Sequence, residues 1–241
     1  MNAPLVTRRA GLLEATIQKL FTRSVTVLDI VDLGSAFRLI TLGGDALVDV
    51  AWTPGDKIQI QLGGWVQRTY TPIDWDATAG RTRILACLHA DGPGTHWARS
   101  LQAGDACVLF GPRRSIALAR ARAPVIVFGD DTSLGLAATL SRHRAASVLL
   151  EVANVAATLP VLEHLQLAGA HLYTRAADGA HFGGMASHLS TLLMQDASAE
   201  IVLTGQASSI QRMTRFLRET GIGAGQRHSK AYWASGKKGL D

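Results

Sequence analysis

The sequence is poor in cysteine. Its 241 residues hold two, Cys87 and Cys107, each inside an apolar, strand-like stretch and neither in a CxxC or His/Cys spacing. That excludes an iron–sulfur cluster or a structural zinc built on cysteine, and it reads both as small core residues. Long apolar runs are missing too. The longest, such as Val125-Ile126-Val127-Phe128, fall far below the roughly 20 residues that span a bilayer. The first 20 residues show no signal-peptide h-region or cleavage site, so the expected location is cytoplasmic. There are no internal repeats, no low-complexity linker and no G-x-G-x-x-G fingerprint, and the histidines at 143, 164, 171, 181, 188 and 228 are scattered without metal-ligand spacing. Lysine is scarce: five among 24 basic residues, with Lys230, Lys237 and Lys238 gathered near the C-terminus. The formal net charge of +5 makes that end the basic feature of the chain, able to meet an anionic small molecule or simply to be solvated. No nucleic-acid partner is expected.

What is present divides in two. Residues 8–22 place Leu13, Ile17, Leu20 and Phe21 on one helical face, which predicts a short amphipathic helix. From Ser24 to about Pro112 the texture is short alternating segments, SVTVLDIV, AFRLITL, DKIQIQL, RILACLH and ACVLFG, separated by Gly, Pro and Asp. That spacing predicts a small antiparallel β-barrel. After Ala123 continuous apolar strands alternate with helical segments: APVIVFGDD, TSLGLAATLSRHR, SVLLEVAN, AHLYTRA, EIVLTGQ and SSIQRMTRFLRET. This alternation belongs to a parallel sheet with crossover helices. The expected organisation is an N-terminal extension over 1–21, a barrel domain over 22–120 and an α/β nucleotide-binding domain over 121–241, with a cleft between the last two.

Within QRTYTPIDWD, Arg68 and Tyr70 point to one face of a strand while Thr71 points to the other or turns with the chain at Pro72. An arginine fork matches phosphate, a tyrosine face covers a flat ring, and a threonine hydroxyl can donate to a ring nitrogen. Together they fit a dinucleotide with a large planar head, or else an ordinary exposed strand end. Further on, LHADGPGTHWARS ends a strand in a Gly-Pro-Gly turn before a helix expected to begin near Thr95. Backbone N–H groups there, with Gly92 and Gly94 removing bulk, can hold a pyrophosphate. His89 at the strand end either touches that phosphate or merely closes the strand. Trp97 also reads as a core-facing aromatic.

RTYT (68–71), HADGPGTHWA (89–98), GDDTSLGLA (129–137) and AYWASG (231–236), in this order and spacing, resemble the siderophore-interacting family of FAD-dependent ferric-siderophore reductases, which are ferredoxin-reductase-like flavoproteins. The resemblance implies FAD as cofactor, NADPH or NADH as electron donor and a ferric siderophore or other ferric chelate as substrate. It places Arg68 on flavin phosphate, Tyr70 on the isoalloxazine ring and Thr71 near its N5, with His89, Gly92, Gly94, Thr95 and Trp97 along the rest of the FAD. It implies no catalytic nucleophile or general base. Two positions depart from the family pattern: Ile73 stands where an arginine is common, and Gln206 where a glutamate is usual. A flavin-binding siderophore carrier without turnover, or a flavin reductase component of an electron-transfer chain, are the alternative functions.

In the second half, the Asp130-Asp131 pair at a helix start would repel a pyrophosphate, so that turn is expected at the nicotinamide end, with Asp131, Thr132 and Ser133 near the cofactor and at least one aspartate capping the helix. The TGQASS turn, with Gly205 and Gln206, suits a nucleotide phosphate better. Arg175 either pairs with the 2′-phosphate of NADPH or is a surface arginine. Tyr232 and Trp233, too apolar for a free tail, are expected to fold back onto the cleft without forming a strand of their own. Lys230, Lys237 and Lys238 are expected to form a basic rim that binds an anionic ferric substrate.

Overall fold

The computed structural model describes residues 22–64, 66–88, 91–116, 118 and 123–236. The helix expected over 8–22 lies outside this range except for Thr22, which opens the first strand, and the expected boundary at residue 120 also lies outside it.

Seven strands form an antiparallel sheet: β1 (Thr22–Leu33), β2 (Phe37–Gly43), β3 (Lys57–Gly63), β4 (Val66–Tyr70), β5 (Asp74–Asp76), β6 (Arg81–Cys87) and β7 (Ala106–Arg113). Their order is β4-β3-β7-β1-β2-β6-β5, so the sheet curls like a barrel but β4 and β5 remain its two edges. The sequence alternation is the cause. In β1, Val25 and Val27 point inward; in β3, Ile58 and Ile60 do; and they meet Ile40, Leu42, Ile84 and Leu109 in one core. A single helix, α1 (Pro93–Ser100), joins β6 to β7. It begins two residues before Thr95, because a proline at the first helical turn needs no N–H there and already has a helical φ.

The second sheet is wholly parallel, with β8 (Val125–Asp130), β9 (Ala146–Val152), β10 (His171–Thr174), β11 (Glu200–Gln206) and β12 (Arg227–Trp233) in the order β10-β9-β8-β11-β12. Helices α2 (Leu134–His143), α3 (Val155–His164), α4 (His181–Gln195) and α5 (Ala207–Glu219) make the crossovers. Every residue of β8 is buried, as a central strand covered on both faces requires. Here the structure corrects the sequence reading. Tyr232 and Trp233 do belong to a strand, the fifth of this sheet, whose polar composition is tolerated because β12 is an edge.

The two sheets share a core. Leu33, Phe37, Leu39, Ile73 and Leu85 from the first half pack with Val125, Val127, Leu134, Leu136, Leu150 and Val202 from the second. Between them lies α2, buried from Leu134 through Leu140. Its one hydroxyl in that stretch, Thr139, lies 2.8 Å from both the Pro72 and Ile73 carbonyls and donates to them. Among the described residues no helix is long and apolar enough to cross a membrane.

Candidate functional site

β4 is the edge strand that carries the RTYT motif. Its register on β3 pairs Arg68 with Ile60 and Tyr70 with Ile58, which puts both side chains on one face, over the start of α1. Gly94 lies beneath them: a Cβ on it would come within 3.3 Å of Arg68 Cγ and 3.6 Å of the Tyr70 hydroxyl. Tyr70 also leans on Trp97, with ring centroids 5.8 Å apart, and both rings pack against the barrel core. Burial raises the Tyr70 phenol pKa well above its ordinary value, so it stays neutral. The Arg68 Nη1 donates to the Gln67 carbonyl (2.7 Å), and no carboxylate among the described residues pairs with the guanidinium. The Gly92 N-cap gives α1 no side-chain cap, and Thr95 is buried in its first turn. An arginine with an unspent charge, a tyrosine face and uncapped helix amides therefore meet at one place, which fits a flavin bearing a pyrophosphate. His89 lies outside the described residues.

Thr71 faces the other way. Its Oγ1 lies 3.4 Å from the Tyr232 hydroxyl of β12, so this contact joins the RTYT strand end to the parallel sheet. Burial pushes the Tyr232 phenol up to about 12. Ile73, where the family pattern has an arginine, is fully buried in the core shared by the two halves. This position is spent on packing between the two halves.

In the parallel sheet the strand order reverses between β8 and β11, and the chain leaves their carboxyl ends toward opposite sides, which marks the crevice where open α/β sheets take ligands. Asp130, fully buried at the end of β8, organises it. Its Oδ1 accepts from the Thr132 N–H (2.9 Å) and hydroxyl (2.5 Å). Its Oδ2 accepts from the Gln206 N–H (2.9 Å) and Trp233 Nε1 (2.7 Å). Burial still outweighs these donors and raises the Asp130 pKa. Gly205, at φ +96°, makes the reach possible: a Cβ there would lie 2.5 Å from the Asp130 carboxyl. Asp130 is thus the capping aspartate. Asp131 is buried, its Oδ2 accepting from the Ala153 N–H (3.2 Å) and its carbonyl from Cys87 Sγ (3.2 Å). Ser133 is fully buried, and its Oγ accepts from the Asp130 N–H (3.2 Å) and the Thr204 hydroxyl (2.8 Å). Ser133 therefore braces the turn instead of facing the cleft.

Beside this crevice a cavity of about 510 Å³ opens over the ends of β9, β10 and β11. Arg175 enters it at the end of β10, 3.8 Å from Asp130 Oδ2 and 3.7 Å from Glu151 Oε1, with Cζ 5.7 Å from the Trp233 ring centroid. Glu151, nearly inaccessible, accepts from the Ser209 hydroxyl (2.5 Å) and His181 Nε2 (2.7 Å), while His181 Nδ1 accepts from the Ala176 N–H (3.1 Å). Those two bonds orient the ring, with Nε2 toward Glu151 and Nδ1 toward the Ala176 N–H. The sequence reading missed Glu151 and His181. A glutamate in the otherwise apolar VLLEV strand was the visible signal for the first; His181 had none, since its partner is 30 residues away. Lys230, on β12, pairs with Thr204 of β11, two residues before Tyr232 and ahead of a register shift. Lys237 and Lys238 lie outside the described residues. Among the described residues no group of three or more His, Cys, Asp and Glu could hold a metal ion.

The family model described as the siderophore-interacting FAD-binding domain matches residues 63–116, the stretch from the end of β3 through α1 and β7. No curated protein matches in sequence. Among solved structures, the siderophore-interacting protein SipS from Aeromonas hydrophila is 21% identical with a TM-score of 0.73, covering 90% of this chain and 93% of its own. A siderophore utilization protein from T. fusca is 21% identical with a TM-score of 0.68 (91% and 95% covered). Phthalate dioxygenase reductase is 12% identical with a TM-score of 0.74 (91% and 71% covered). The chain carries the siderophore-interacting FAD-binding signature over residues 63–116, within the two-domain fold that ferredoxin-reductase-like proteins share.

Proposed function

We propose that the protein is an FAD-dependent reductase that passes electrons from NADPH to a ferric siderophore or another anionic ferric chelate, releasing the iron as Fe(II). The observation that carries the reading is the Thr71–Tyr232 contact. It brings the end of the RTYT strand to the parallel sheet, so a flavin held by the first half and a nicotinamide held by the second would meet. The division of labour follows the two sheets, with FAD held by 22–120 and the nicotinamide nucleotide by 121–241.

Arg68 and the α1 amides would hold the FAD phosphates, Tyr70 would cover the ring system, and the hydroxyls of Thr71 and Tyr232 would lie at its nitrogen edge. When bound, the flavin supplies the conversion that this reaction needs, accepting two electrons as a hydride and giving them up one at a time. The chain's own work is binding, orientation and access. Reduction frees the metal because hard oxygen ligands hold ferric iron more tightly than ferrous iron. A cytoplasmic location accords with this donor. Charge supports the substrate class: residues 201–241 carry seven Lys/Arg against two Asp/Glu, which is the whole formal excess of +5, and leave the preceding 200 residues balanced. Three of the seven basic residues lie on α5 and two, Arg227 and Lys230, on β12, the strand that also carries Tyr232.

The test is an anaerobic titration of the FAD-loaded protein. NADPH should bleach the flavin absorbance, and a ferric chelate added next should restore it while a colorimetric ferrous trap records Fe(II). A flavin that stays oxidised with both NADPH and NADH would make the protein a carrier instead.

A further inference from the structure

Two arginines border the cavity beside β9, β10 and β11, and they are in opposite electrostatic situations. Arg175 sits between two buried carboxylates, Asp130 and Glu151, and its guanidinium also lies 3.5 Å from the Glu151 carbonyl. Its charge is already balanced. Arg212, on the exposed side of α5, has no acidic partner among the described residues. Its Cζ stands 4.4 Å from the centroid of the Phe182 ring, which is buried and held by Phe128 at 5.9 Å and His181 at 5.1 Å. The ring is a fixed platform, so the guanidinium is oriented before any ligand arrives. Gly179 completes the arrangement. It has φ +74°, and a Cβ on it would overlap Arg212 Nη1.

The remaining groups are those an anion needs. Ser208 is exposed in the first turn of α5 and lines the cavity, and the Gln206 N-cap leaves that turn without a side-chain cap. The acidic residue of the cavity cannot serve a ribose diol in place of a phosphate. Both Glu151 oxygens are taken, Oε1 by Ser209 and Oε2 by His181, and the side chain is 1% exposed.

We propose that Arg212, with Ser208 and the first-turn amides of α5, is the anchor for a phosphomonoester on the incoming nucleotide, the 2′-phosphate of NADPH, and that Arg175 is an internal strut. This differs from both roles the sequence left open for Arg175, a 2′-phosphate partner or a surface arginine, and it rests on the reductase reading only for the choice of nucleotide. A planar fork held over an aromatic ring can meet a phosphate with two parallel N–H bonds, a match the 2′-hydroxyl of NADH does not offer.

Calorimetry on the FAD-loaded protein with two donor fragments tests the site without turnover. Adenosine 2′,5′-bisphosphate should bind about 10- to 100-fold more tightly than 5′-AMP, the range expected for one or two charge-assisted hydrogen bonds. Arg212→Gln, an exposed substitution with no expected effect on the melting temperature, should bring that ratio close to one. Gly179→Ala keeps the charge but displaces the guanidinium, and should lower the ratio as well; if it fails to fold, Arg212→Gln carries the test alone. An undiminished ratio in Arg212→Gln, or a ratio near one in the unmodified protein, overturns the assignment. The two claims fail separately. If the ratio behaves as described but neither nucleotide bleaches the flavin, the phosphate site stands and the reductase reading falls. If NADH and NADPH bleach it equally and the ratio is near one, the reductase stands and the site falls.

Discussion

Asp130→Asn probes the centre of the crevice because one carboxylate there ties together β8, β11 and β12. Oδ1 serves Thr132, and Oδ2 serves the Gln206 N–H and Trp233 Nε1. An amide can match one side only: with its oxygen toward Thr132, its NH2 faces two donors that then have no acceptor. Each charge-assisted bond is worth about 1.5–3 kcal/mol, so two amount to about 3–6 kcal/mol. Relief from burying the charge outweighs that gain, and what the variant loses is set by the two buried donors left without an acceptor, at about 1–3 kcal/mol each, or about 3 kcal/mol together. In a chain of this size that lowers the melting temperature by about 6–12 °C. The pH dependence has a definite sign. Burial, the largest influence, raises the Asp130 pKa above its ordinary 3.8, so the folded state holds the proton more tightly than the unfolded state. Stability from this group is full below 3.8 and is lost as pH rises through the raised folded value. The stability gap between the parent and the Asn variant should therefore narrow with rising pH across that window and stay constant above it. Thermal melts followed by circular dichroism over a pH series would measure both effects. An unchanged melting temperature, or a gap that widens as pH rises, would refute the reasoning.

Three further outcomes are expected. Arg68→Ala should weaken FAD binding by about tenfold or more, through loss of a charged hydrogen bond, in a fluorescence titration of the apoprotein; undiminished affinity would remove Arg68 from the site. Thr139→Val keeps the shape but removes the donor to the Pro72 carbonyl, while the Ile73 carbonyl keeps only Arg142 Nη1 at 3.4 Å, at a cost of about 1–3 kcal/mol read as a lower urea midpoint, and an unchanged midpoint would refute this. Neutralising Lys230, Lys237 and Lys238 together should slow reduction of an anionic ferric chelate and flatten its fall with salt, since exposed charges act over a Debye length of about 10 Å near 0.1 M; an identical rate and salt slope would place the substrate elsewhere.

The sequence by itself determined what depends on neighbours along the chain. Alternation in β1, β2, β3, β6 and β7 fixed which faces turn inward, the unbroken apolar run at Val125 marked a central parallel strand, and RTYT with Gly-Pro-Gly fell in the stretch that the FAD-binding family model matches. Tertiary structure decided what depends on strand order. RHSKAYW has no strand pattern strong enough to read, and it becomes β12 because the open edge of β11 offers unpaired N–H and C=O groups. Ile73 reads as a missing arginine until the packing of the two halves makes it core. Arg175 and Arg212 are both plain arginines in the sequence. Which of them is neutralised was settled when the parallel sheet brought Asp130 and Glu151 up to one, and Phe182 and Gly179 up to the other. A residue's periodicity is written in the few positions beside it, but the charge it meets across a sheet is set by contacts between segments far apart in the chain, which no local pattern encodes.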